Sequence, residues 1–132
     1  MSNKEIFEKV KEMNLPIGQY AIFGSGPMGV RGLKICEDAD LIVSKELWDK
    51  YKSDPGWKLK TAACGTDGLC NGLVEFYYIW KPGEWDADQL IADAEMIDGL
   101  PFVKLKYVLE WKKIYNREKD LKDIKIIENY LK

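Results

Sequence analysis

Phe23-Gly24-Ser25-Gly26-Pro27-Met28-Gly29-Val30-Arg31-Gly32, followed five residues later by Asp38-Ala39-Asp40-Leu41-Ile42-Val43-Ser44, is the stretch on which the fold turns. Gln19 to Phe23 is a short apolar run of strand type, and it feeds directly into the tight turn Gly24-Ser25-Gly26-Pro27. Proline suits the first position of a helix, which predicts a short helix over Met28 to Leu33. Asp38 to Val43 reads as a second strand. Side chains alternate along a strand, so Asp38 and Asp40 project from one face, about 7 Å apart along the chain. Leu41 and Val43 point the other way, into a core.

Outward from this stretch the pattern alternates. Residues 3 to 13 form an amphipathic helix, with Ser2 and Glu5 at capping-box spacing and Ile6, Val10 and Met13 on one face. Ser44 caps a helix whose face is Leu47, Trp48 and Tyr51. After the turn Asp54-Pro55-Gly56, Trp57 to Cys64 and Leu73 to Trp80 read as two strands. The Gly-rich stretch Gly65 to Gly72 separates them, which predicts a hairpin with a long loop. Asp86 to Ala94 is a short helix, followed by Glu95 to Asp98 and a turn at Gly99-Leu100-Pro101. Two helices, Leu105 to Tyr115 and Leu121 to Leu131, close the chain. With no repeat or linker, this order predicts one domain over residues 1–132. Its class is mixed α/β (α+β): one mixed sheet flanked by helices, with two C-terminal helices.

Composition narrows the chemistry. The 132 residues are 46% hydrophobic and 32% charged, the balance of a folded domain of ordinary size. The net charge of -2 argues against a dedicated nucleic-acid neutraliser, which would be strongly basic. Residues 104–132 nevertheless hold nine Lys/Arg against five Asp/Glu. Histidine is absent, which excludes a Ser-His-Asp triad, a Cys-His pair and every His-ligated zinc site. Three cysteines, Cys36, Cys64 and Cys70, form neither a CxxC pair nor an even set, so neither a disulfide scaffold nor structural zinc is expected. Met1 to Val10 is polar, not a signal peptide, and no apolar run is long enough to span a membrane. The expectation is a cytoplasmic protein with reduced thiols and no membrane partner.

The carboxylates carry the functional signal. Two acids on one strand face repel unless a cation lies beside them, and Mg²⁺ prefers such oxygen ligands. Glu75 is a third acid, inside the apolar run Leu73-Val74-Glu75-Phe76-Tyr77. Taken singly, Asp38 and Asp40 also fit solvent-facing acids at a strand start, and Glu75 an exposed edge acid. If the two strands are neighbours, the three form a cluster able to hold Mg²⁺ and activate a hydroxyl for in-line attack on a nucleotide α-phosphate. Gly24 allows close backbone approach, and the Ser25 hydroxyl with nearby N–H groups suits phosphate. Lys112 falls on the helix face shared by Leu105, Val108, Leu109 and Tyr115. There it either snorkels to water or points into a cleft to meet phosphate or a carboxylate. Asp123, on the side of Ile127 and Tyr130, is a candidate partner for it.

Gly-Ser, a spacer of twelve residues and Asp-x-Asp before apolar strand residues resembles the nucleotidyltransferase superfamily, the DNA polymerase β-like fold. The run from Phe23 to Gly32 with Asp38 to Ser44 is similar to its small bacterial and archaeal members. Gly99-Leu-Pro-Phe-Val-Lys-Leu and Asn116-Arg-Glu-Lys-Asp-Leu-Lys-Asp-Ile resemble segments of its toxin- and abortive-infection-type members. The resemblance implies that Asp38, Asp40 and Glu75 are catalytic and bind Mg²⁺ (or Mn²⁺), although the family more often has Asp in the third position. It implies that Gly24, Ser25, Arg31 and Lys112 bind the NTP, and that a nucleoside monophosphate passes to a hydroxyl with release of pyrophosphate. Acceptors compatible with it are RNA such as a tRNA end, a protein hydroxyl or a small molecule, and an antitoxin-type protein is a compatible partner. The alternative is an inactive relative that binds a nucleotide or a partner without turnover. Gly24-Ser-Gly26-Pro-Met-Gly29 also fits G-x-G-x-x-G, but the acids follow Gly24 by 14 and 16 residues, at the start of the next strand. A dinucleotide site wants its acid about 20 residues on, at the strand's end.

Overall fold

A computed structural model describes residues 1–132. Side-chain chemistry sets the element boundaries. Helix α1, Asn3–Glu12, starts where Ser2 accepts from the Glu5 N–H while Glu5 accepts from the Ser2 N–H, both at 3.2 Å. Strand β1 is Tyr20–Phe23, α2 is Gly26–Gly29 and β2 is Ala39–Val43. Helix α3, Lys45–Lys52, is capped by the Ser44 hydroxyl, which accepts from the Leu47 N–H at 3.1 Å. Three strands follow: β3 Lys58–Thr61, β4 Asp67–Asn71 and β5 Val74–Tyr77. Helix α4, Ala87–Ala92, is capped by Asp86, and a hairpin of β6, Glu95–Ile97, and β7, Leu100–Phe102, comes next. Helix α5, Leu105–Tyr115, stops at left-handed Asn116, and α6 is Glu118–Leu131.

The seven strands form one mixed sheet in the order β3-β4-β5-β2-β1-β7-β6. Strand β2 lies at its centre, antiparallel to β1 and parallel to β5. Strict alternation gives the sheet two faces. Ile22, Leu41, Val43 and Phe76 point to the core built with α1 and α3. Ala21, Phe23, Ile42 and Tyr77 point to a second core, against α4, α5 and α6. Each core centres on stacked aromatics: Phe76 lies 4.3 Å from Trp57, and Phe23 4.3 Å from Trp80. Burying one such side chain contributes about 1.5–3 kcal/mol.

The α/β class and the two closing helices match expectation; several boundaries do not. The Gly-rich stretch is not simply a loop. Its middle is β4, which sits between β3 and β5, so those two strands never pair. Gly68 is required there because a Cβ on it would lie 2.6 Å from the Tyr77 ring. Helix α2 is one turn, earlier than Met28 to Leu33. The hairpin turn is narrower, at Asp98-Gly99, where both residues have positive φ. Helix α6 begins at Glu118, ahead of the expected Leu121, because Asp120 accepts from the Arg117 N–H at 3.0 Å and fixes the first turn. No helix is long and apolar enough to cross a membrane.

Candidate functional site

Parallel pairing of β2 with β5 sets Asp40 directly beside Glu75. Residues paired in this way share a face, and Asp38, two residues before Asp40, joins them. One carboxylate oxygen from each of Asp38, Asp40 and Glu75 lies within 4.8 Å of the other two. Gly24 closes the group from the end of β1. Its φ is +62°, and a Cβ on it would stand 2.6 Å from the Asp40 Oδ2. Glycine is therefore needed twice here, for the backbone and for the space Asp40 occupies.

The three acids are not equivalent. Glu75 is buried, and both its oxygens are engaged: the Tyr77 hydroxyl donates to Oε1 at 2.6 Å and the Lys60 ammonium to Oε2 at 3.1 Å. Burial, then the Glu75 hydrogen bond and charge, push the Tyr77 phenol far above its usual range. Asp38 and Asp40 accept no hydrogen bond from the protein. Burial, then the Asp38 and Glu75 charges, push Asp40 up to about 8; burial and the Glu75 charge raise Asp38. A pair of carboxylates left electrostatically unsatisfied, with no nitrogen or sulfur donor among the three, fits a hard divalent cation such as Mg²⁺ or Mn²⁺.

This triad lies in a cleft of about 610 Å³ whose lining also includes Gly24, Ser25, Lys34, Lys60, Lys112 and Arg117. The Ser25 hydroxyl makes no hydrogen bond within the protein and is open to a ligand. Lys112 is only 3% exposed, which rules out the snorkelling arrangement. Its ammonium donates to Asp123 Oδ2 at 3.0 Å and stands 3.5 Å from Asp120. Lys34 donates to the same Asp123 oxygen at 2.5 Å, and the Arg117 guanidinium grips both oxygens of Asp120 at 2.7 and 3.1 Å. Burial lowers the Lys112 pKa against the opposing pull of Asp123. Burial would raise Asp123, but hydrogen bonds from Lys34 and Lys112 outweigh it and hold the carboxyl below its ordinary value. Three cations around two acids give this part of the cleft a net positive charge, to complement the acidic triad.

Arg31 corrects an expectation. It does not line the cleft: its guanidinium donates to the Pro27 carbonyl at 2.7 Å and pairs with Glu95. Sequence reasoning passed over Lys34, Lys60 and the Tyr77 hydroxyl. The signal for Lys60 was its alternation with Lys58, which puts both on the face of Glu75: Lys58 pairs with Cys70 and Cys70 with Glu75. Set against protein-family models, curated proteins and solved structures, the chain has no match in any of the three.

Proposed function

We propose that the protein is a nucleotidyltransferase: it moves a nucleoside monophosphate from an NTP to a hydroxyl acceptor and uses Mg²⁺ or Mn²⁺. The observation that supports this reading is the three-carboxylate cluster, its oxygens within 4.8 Å, set in a cleft that also carries buried Lys112. Asp38 and Asp40, free of other partners, would hold the metal. When bound, the metal polarises the α-phosphoryl group and favours ionisation of the attacking hydroxyl. The acceptor oxygen forms a bond to the α-phosphorus, the bond from that phosphorus to the bridging oxygen breaks, and pyrophosphate leaves. Glu75, whose oxygens each keep a lone pair, takes the acceptor's proton. Gly24 lets the chain turn close to the phosphates, and the Ser25 hydroxyl donates to them. Lys112 and Lys34 balance their charge across the cleft.

The engagement of Glu75 by Tyr77 and Lys60 favours a second reading, a chain that binds Mg²⁺-NTP and does not turn it over. Incubation with labelled NTPs and Mg²⁺ separates the two. Pyrophosphate release that disappears in Asp38→Asn and Asp40→Asn supports transfer. Release that persists in both variants overturns it, and saturable binding without product supports the second reading.

A further inference from the structure

Lys60 sits on the outermost strand, β3, whose four residues are all exposed. An edge lysine of this kind normally turns to water. Here its ammonium turns inward. Its ladder partner is Gly68, which has no side chain to obstruct it, and the ammonium reaches diagonally past that position to the buried Glu75 carboxylate. Lys60 is the one cation within ion-pair distance of the triad, because Lys34 and Lys112 are both committed to Asp123. The partners differ in exposure: the Lys60 side chain is 52% exposed, that of Glu75 10%. A half-exposed lysine gains little from a surface contact, whereas a buried carboxylate is costly without one.

We propose that Lys60 stands in for a second metal ion, so that the triad binds one divalent cation, between Asp38 and Asp40. This rests on the metal-dependent reading above. Once an ion has displaced the proton of Asp40, three carboxylates less one ammonium leave two negative charges, which a single divalent ion neutralises. The hydrogen bonds follow the same division: each Glu75 oxygen already accepts one, and Asp38 and Asp40 accept none. Lys60 also has a stem long enough to withdraw, since nothing packs over β3 to hold it.

The experiment counts ions, not turnover. Mn²⁺ is titrated into the full chain without nucleotide, and bound ion is read from the loss of the free Mn²⁺ paramagnetic resonance signal. The unaltered chain and Lys60→Arg are expected to bind one ion each, and Lys60→Met two. Lys60 is exposed and outside both cores, so circular dichroism should show the variants folded. Two ions on the unaltered chain, or a single ion on Lys60→Met, overturns the assignment of Lys60 and leaves the metal centre standing. No ion on any of the three proteins overturns the metal centre, and this inference with it.

Discussion

Lys34 and Lys112 donate to the same oxygen of Asp123, at 2.5 and 3.0 Å, from segments 78 residues apart in the chain. One carboxylate thus ties the loop before β2 and helix α5 to helix α6. The two lysines differ in what they stand to lose, because Lys112 is buried and Lys34 reaches solvent.

That difference is measurable. Asp123→Ala leaves a buried ammonium short of its nearest acid and should cost about 3–5 kcal/mol in denaturant unfolding. Lys34→Met removes a partly exposed partner and should cost about 1 kcal/mol or less. Equal losses would mean that burial does not govern the network.

Asp40 predicts an unusual pH dependence. Its folded value of about 8 lies above the ordinary 3.8, so the folded chain holds this proton more tightly than the unfolded one. The stability it contributes is complete below about pH 4 and is lost as pH rises through about 8. Metal-free protein should therefore melt at lower temperature at pH 9 than at pH 6, and Asp40→Asn should flatten the slope. Mg²⁺ competes for the same site, so its affinity should rise across this range with release of protons. Asp120 and Asp123 act in the opposite sense: both titrate below the ordinary carboxyl value, and the stability they contribute is lost as pH falls through that range.

Tyr77 is a positioning residue. Its hydroxyl donates to Glu75 at 2.6 Å, and the ring packs within the second core. Tyr77→Phe keeps the ring and removes the bond. Support of this kind beside the carboxylates that hold a metal is worth about 10–100-fold in metal affinity or activity. The fold should survive, with a loss of about 1.5–3 kcal/mol for a hydrogen bond to a charged group. Mn²⁺ affinity unchanged by the substitution would remove Tyr77 from the site.

Gly24→Ala combines two faults, a strained φ and a methyl group 2.6 Å from the Asp40 Oδ2. Gly32→Ala has the first fault alone, since φ is +74° and nothing lies within 4 Å. Both should lose about 1–2 kcal/mol from the left-handed backbone. Only Gly24→Ala should also lose metal binding, which calorimetric titration with Mn²⁺ would show.

The acidic half of the site was legible because strand alternation is local. Asp40 and Leu41 had to face opposite ways, and the apolar run around Glu75 marked a strand with one odd member. Lys112 stood out for a similar reason, as a charge on an apolar helical face. What the sequence hid depends on distant pairing. Arg31 finds Glu95 only through the fold, and that contact draws it out of the cleft. Strand β4 was missed because Asp67, Gly68 and Asn71 are poor strand formers; tertiary packing of Gly68 against the Tyr77 ring overrides them. Lys60 reaches Glu75 only across β4, so the strand that is hard to read in the sequence conceals the lysine with it.

Asp40 and Glu75 lie 35 residues apart and meet only through the parallel ladder of β2 and β5. Parallel contacts of that span close slowly, because the intervening chain must first be ordered. Ion capture would then serve as a clock for the last stage of refolding: Mn²⁺ uptake should trail helix formation in a stopped-flow trace and coincide with completion of the central ladder.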